Sequence, residues 1–297
     1  MHYFTQWSFD PFVVVIAVVA AWHELGLARL AARSRPERTK VRRRRSLSFY
    51  AGLALLLLAV ASPIDYWSND YFFVHMIEHI LLMFFAPMLV VAGAPWLPFI
   101  HAFPVRLRRK VGRSLILGAW AAPLRAIGRF LTNGMVAVVV FNVVMIVWHL
   151  PGPFDLGETN ESVHIWLMHG SFFVAGVFFW AQILPSYPLR SKLSYIGRAG
   201  ALISTNVVMF VLAMALSLFT NQSWYSVYDH VPGVTLSPYL DQQVGAAILW
   251  VCGDFWALPT LGWVIHQAIR EEGSMGAVVD RVLHRRILAT MGRVPEA

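Results

Sequence analysis

Long apolar runs separated by short polar connections set the character of this chain. Seven stretches, roughly 11–31, 48–64, 72–99, 131–149, 163–184, 197–219 and 242–269, read as membrane-spanning helices, each near the ~20 apolar residues that cross a hydrocarbon core. The second is short. The third is long and contains Pro87, Gly93, Pro95 and Pro98, which predicts a kink or an early end. The segment 103–130 mixes arginines with Leu, Ile, Val and Trp120, the pattern of an amphipathic stretch lying on a membrane face. No low-complexity linker or internal repeat divides the sequence. The expectation is therefore one integral-membrane domain, 1–297, an all-α polytopic bundle with a polar tail from about 270 to 297.

Composition agrees. Of 297 residues, 58% are hydrophobic and 13% charged, about half the charged share usual in soluble domains. Cys252 is the single cysteine, so no disulfide and no CxxC motif can form within the chain. The first ten residues carry no Lys or Arg. This argues against a signal peptide and for a retained first helix.

The net charge of +8 acquires meaning from its placement. The connections after the first, third and fifth runs and the tail hold nine, seven, three and five basic residues, all 24 of them. The alternate connections hold none. They carry Asp65, Asp70, Asp155, Glu158, Glu161, Asp229 and Asp241 instead, and Asp10 precedes the first run. Positive charge retained on the cytoplasmic side fixes an odd number of spans, about seven, with the N-terminus out and the C-terminus in. The same logic makes Arg42–Arg45 a topological anchor, with lipid rather than nucleic acid as its partner. The expected location is a bacterial plasma (inner) membrane.

The orientation gives each histidine a depth. His75 and His79 lie within roughly 5 and 11 Å of the outer end of the third helix, and their spacing of four puts them on one face. Glu78 sits beside them. His149 ends the fourth helix, His164 opens the fifth, and His169 lies about 9 Å into it. Five imidazoles and a carboxylate thus gather in the outer leaflet. Ionisable groups below the membrane surface are costly and usually functional. Neutral imidazole is the commonest metal ligand, so metal or haem ligation is the expected chemistry. With Met76, Met83 and Met168 nearby in sequence, copper suits the donor set. His75, His79 and His169 are the expected ligands; His149, His164 and Glu78 are auxiliary. On an ideal helix His164 and His169 are about 140° apart and cannot face one centre. Ligands must be neutral, so binding is expected to weaken as pH falls through about 6.5.

Other polar residues fall inside the runs. His23 and Glu24 in the first helix and Asp254 in the seventh can form structural hydrogen bonds between helices, or a polar path for protons or copper. His101, His266 and His284 are expected to be solvated on the inner side. Asp241 reads as the cap of the seventh helix. Trp224, Tyr225, Tyr228 and Pro232 in the longest outer loop read as interface residues. Hydrolase triads and nucleotide-binding loops are absent from the sequence, and the chain is read as not an enzyme.

The motifs, in order, resemble a known family. His75-Met76-Ile77-Glu78-His79 runs on through Leu81-Leu82-Met83 and Ala86-Pro87 to Gly93-Ala94-Pro95. Trp148-His149-Leu150-Pro151 follows, then His164 and His169 with Gly176 and Trp180. Ser237-Pro238, Asp241-Gln242-Gln243, Gly245 and Trp250 complete the series. Over about 10–265 the chain resembles the polytopic CtaG family of cytochrome c oxidase assembly factors. The resemblance implies help in assembling a haem–copper oxidase, by bringing copper toward its copper B centre, with an oxidase subunit as partner. The alternatives are a haem-binding membrane redox protein, a copper or proton transporter, and a chaperone that holds oxidase subunits without touching metal.

Overall fold

The computed structural model describes residues 6–7, 11–273, 276–277 and 280. Asp10, His284, Arg281, Arg285, Arg286, Arg293 and most of the tail expected at 270–297 lie outside the described residues. Among the described residues the architecture is an all-α membrane bundle, with one isolated bridge between Ser186 and Leu189. The helices, in chain order, are α1 (Pro11–Ala31), α2 (Pro36–Ala61), α3 (Pro63–Ser68), α4 (Phe72–Ile80), α5 (Ala86–Gly93), α6 (Trp96–His101), α7 (Val105–Leu117), α8 (Ala122–Leu131), α9 (Gly134–Trp148), α10 (Pro151–Thr159), α11 (Gly170–Ile183), α12 (Tyr195–Leu218) and α13 (Pro238–Glu272). Two π-helical turns, Leu81–Phe85 and Val163–His169, join α4 to α5 and lead into α11.

Six helices are long and apolar enough to cross a membrane, and a seventh span arises if the segments Ala119–Leu131 and Gly134–Trp148, bent by 78°, count as one. The apolar pattern located these spans but misplaced two boundaries. The second helix begins at Pro36, not near 48, because Arg and Lys are good helix formers and Pro36 starts it favourably at its first turn. Hydropathy marks only the part of a helix that lipid covers. The third span stops at Gly93, where Ala94 takes a left-handed conformation with φ 48°. The chain then doubles back as α6 against α1. There the Trp22 indole donates to the Phe99 carbonyl at 3.2 Å and the Arg29 guanidinium to the Ala102 carbonyl. A Cβ at Gly26 would lie 1.8 Å from the Pro98 oxygen, so only glycine permits this approach.

The π turn within the third span has a covalent cause. Pro87 has no N–H to give to the carbonyl of Met83. The chain accommodates this with a π turn, in which the Ala86 N–H reaches back five residues to Leu81. The Met83 carbonyl then faces α11, where a Cβ on Gly176 would stand 2.5 Å from it. Gly176 thereby sets how closely α11 meets the π turn and α5. Neither α7 nor α8 buries a residue, and their apolar side chains Leu107, Leu115 and Ile127 are exposed beside arginines. This is the amphipathic segment expected at 103–130.

Candidate metal centre

The six residues singled out from sequence converge at one end of the bundle. His75, Glu78 and His79 project from α4. His149 closes α9. His164 and His169 come from the π turn before α11. All are buried except His164, whose side chain is 13% exposed. Four imidazoles form an oblong. The His75 and His79 centroids are 4.1 Å apart and those of His164 and His169 4.2 Å, making the short sides. His75 to His164 at 5.5 Å and His79 to His169 at 6.4 Å make the long ones. His149 stands 5.4 Å from His79. Metal–nitrogen bonds of about 2.0–2.1 Å hold two imidazoles on one ion with centroids within roughly 6.5 Å. Every one of these neighbouring pairs falls inside that span.

The π turn overturns one expectation. His164 and His169 diverge on an ideal helix, but bonding from i to i+5 stacks residues five apart. Both rings therefore face Glu78. The ligand atoms of Glu78, His164 and His169 lie within 4.8 Å of one another, a two-histidine, one-carboxylate set. His164 thus stands with His169 and Glu78 in the candidate set rather than as an auxiliary group. The Nε2 atoms of His75 and His79 approach to 2.5 Å beside it.

The donors are also orphaned. Both oxygens of Glu78, Nδ1 of His79, Nε2 of His149 and both ring nitrogens of His169 are buried without a hydrogen-bond partner. Glu78 Oε1 and His169 Nε2 sit 3.3 Å apart, close but not aligned as donor and acceptor. Buried polar atoms are satisfied in the great majority of cases, so six orphans in one cluster suit an ion. His149 shows how such a donor is prepared. Its Nδ1–H donates to the Met145 carbonyl at 2.6 Å, which fixes the tautomer and leaves Nε2 with a bare lone pair.

The sequence reading passed over Glu158. This α10 residue places Oε1 2.8 Å from His164 Nδ1 and 3.5 Å from His75 Nδ1, at 5% side-chain exposure. It is the outer-shell carboxylate common at metal-bound imidazoles. Burial opposes its ionisation, but His75 and His164 outweigh that through charge and hydrogen bonding. Its carboxyl is held well below the usual carboxylate range. The only sequence signal was its place six residues before His164, in an acidic outer connection.

Aromatic residues close the site. Phe154 packs on His75 at 4.9 Å and Phe172 on His79 at 4.5 Å. Tyr225 and Tyr228, expected at a lipid interface, are buried instead. Tyr225 donates to the His149 carbonyl at 2.9 Å, and Tyr228 to the Ser68 carbonyl at 2.9 Å. Their loop, between α12 and α13, is folded over the cluster and anchored by their hydroxyls. Asp241 also departs from expectation. Ser237 caps α13, while the Asp241 oxygens accept from the Phe72 and Phe73 N–H groups at 2.7 and 2.9 Å. It caps α4, the helix that carries His75 and His79. Met76, Met83 and Met168 are buried core residues; the Met168 methyl fills the notch at Gly157 and Met76 packs toward Gly245.

Residues 21–271 match the model of the cytochrome c oxidase caa3 assembly factor family. The chain belongs to this family. The matched span contains every residue of the cluster. The chain is also similar to uncharacterised mycobacterial proteins. It is 24% identical to one from Mycobacterium bovis over 93% of this chain and 41% of that protein, and equally to one from Mycobacterium tuberculosis. One from Mycobacterium leprae is 25% identical over 95% of this chain and 42% of that protein. The chain therefore spans about two fifths of the length of these relatives. No solved structure matches it.

The remaining intramembrane polar groups do not join the cluster. His23 is buried, stacked on Phe49, with Nδ1 3.1 Å from the Tyr50 hydroxyl, which donates to Glu24 at 2.8 Å. Asp254 meets Asn206 on the opposite pair of helices, α12 and α13. They form two separate networks.

Proposed function

We propose that this protein assists the maturation of a haem–copper oxidase by holding copper, as cargo, in the histidine cluster on the extracytoplasmic side. It has no catalytic role of its own in this reading. The one-sided distribution of basic residues supports an N-terminus outside and a C-terminus inside. The observation that carries the reading is the set of orphaned, buried imidazole and carboxylate atoms around Glu78, His164 and His169. Copper is a metal that a haem–copper oxidase must receive during assembly, and the donor chemistry fits it: several imidazoles with one carboxylate in a dry, aromatic-walled site.

The residues divide the work. Glu78, His164 and His169 hold the ion. His75, His79 and His149 offer further nitrogens alongside, so ligands can be exchanged one at a time. Glu158 orients His75 and His164. Tyr225 and Tyr228 hold the outer loop over the site and keep bulk water out. The close ring packing, 4.1 and 4.2 Å on the short sides, favours an ion over a haem macrocycle. The separation of the His23 and Asp254 networks favours a holding site over a transmembrane path.

The test is copper stoichiometry of the purified protein. Cu(I) loading is compared between wild type, His75→Ala/His79→Ala and His164→Ala/His169→Ala, with a visible spectrum of each. Bound copper is expected in the wild type, with loss in the second double variant and weaker retention in the first. Equal copper in all three would remove the proposal, and a Soret band would replace it with haem.

A further inference from the structure

Asp254 stands at mid-membrane on the outside of the bundle. It lies 16 residues after Pro238 and 18 before Glu272 in α13. Its contact, the Asn206 amide at 3.4 Å, lies 11 residues after Tyr195 and 12 before Leu218 in α12. Two helices thus place the pair independently at the centre of the hydrocarbon. Asp254 is nevertheless exposed. Its neighbours are the apolar Trp250, Val251, Phe255 and Leu258, between 51% and 68% exposed, so this face meets lipid rather than a water-filled interior. No ion pair to Asp254 occurs among the described residues. An intramembrane carboxylate ordinarily faces the bundle interior or a partner. Among the described residues the Asn206 amide is met, but no cation.

The layer is built rather than accidental. A Cβ on Gly253 would lie 2.7 Å from Asn206 Oδ1, so the glycine before Asp254 lets the amide reach α13. One residue before Asn206, Thr205 accepts from Asn142 of α9 at 3.0 Å. A polar belt therefore runs from α9 across α12 and ends at Asp254 on the surface.

We propose that the α12–α13 face around Asp254 is the docking surface for a transmembrane helix of a different protein, one that presents a cationic side chain at mid-membrane. Charge complementarity selects this occupant. A second copy of the chain cannot supply the cation at this depth, because the Lys and Arg within the spans, such as Arg29, Arg198 and Arg270, lie toward the ends of their helices. His23 is buried, and the cluster histidines lie at the far end. The flanking aromatic and aliphatic side chains, including the Trp250–Phe210 edge contact at 5.1 Å, give the incoming helix an apolar bed on either side of the charge. This surface is independent of copper and stands or falls separately from the metal site.

The test uses labelled full-length protein in nanodiscs with two synthetic transmembrane helices, poly-Leu and poly-Leu with one central Lys, read by energy transfer. Transfer is expected with the Lys-centred helix and not with poly-Leu. It is expected to be lost in the isosteric Asp254→Asn variant and regained when Asp254→Lys meets a helix with a central Asp. The His164→Ala/His169→Ala variant should dock like wild type. Equal transfer for both peptides, or undiminished transfer in Asp254→Asn, would mean that Asp254 recruits no cationic helix and would overturn the proposal. Self-association of the wild type that Asp254→Asn abolishes would assign the face to a second copy and overturn it equally.

Discussion

His164 and His169 are five residues apart in sequence, yet their imidazole centroids are 4.2 Å apart. The π turn Val163–His169 brings this about, and with it the candidate site changes from a cluster of outer-leaflet histidines into a ligand set with Glu78. The cluster is positioned by a small number of contacts that substitution can probe one at a time.

Glu158 is the first. Its carboxylate lies against His164 and His75 on the side away from the ligand nitrogens. Glu158→Gln keeps the shape and removes the charge, so copper affinity is expected to fall about 10- to 100-fold with stoichiometry unchanged. Competition with a chromophoric chelator measures this. Glu161→Gln, on an exposed residue, should behave like wild type.

The same carboxylate predicts a pH dependence. Its folded pKa lies below its unfolded value. The stability it contributes is therefore complete above about pH 4.3, the ordinary glutamate value, and drains away as pH falls through the folded one. The thermal advantage of wild type over Glu158→Gln, followed by tryptophan fluorescence, should shrink on acidification below that point. An advantage that grows there would contradict the ion-pair account.

Gly176 tests the packing beneath the site. An added methyl would meet the Met83 carbonyl oxygen at 2.5 Å, and backbone cannot rotate out of the way. Gly176→Ala should destabilise by about 1–3 kcal/mol and weaken copper binding by shifting His169 from Glu78. Gly170→Ala, where a Cβ meets nothing within 4 Å, should leave both unchanged. Thermal unfolding and chelator titration on the same pair of samples decide the matter.

Asp241 tests the cap that α13 supplies to α4. Asp241→Ala frees the Phe72 and Phe73 N–H groups and is expected to cost about 0.5–2 kcal/mol. Asp241→Asn, with one acceptor oxygen left, should cost less. Because His75 follows three residues later, copper affinity should fall in the same order. Loss of stability without any change in copper binding would show that the first turn of α4 does not set the ligands.

By itself the sequence determined what local chemistry determines. Apolar runs marked the spans, because lipid requires about 20 such residues to cross it. The one-sided arginines predicted a common leaflet for His75, Glu78, His79, His149, His164 and His169. What remained depended on other parts of the chain. The π turn that aligns His164 with His169 is a register choice that residue spacing on an ideal helix excludes. Glu158 looked like one more outer-loop acid until α10 folded its carboxylate against two imidazoles. Asp241 looked like a cap for its own helix, but tertiary packing gave it to α4. Asp254 looked like an interior polar residue, and only the packing of α12 on α13 turned it toward lipid. Depth follows from the position of a residue along a helix; direction around the helix, and the partner met there, belong to the packed bundle.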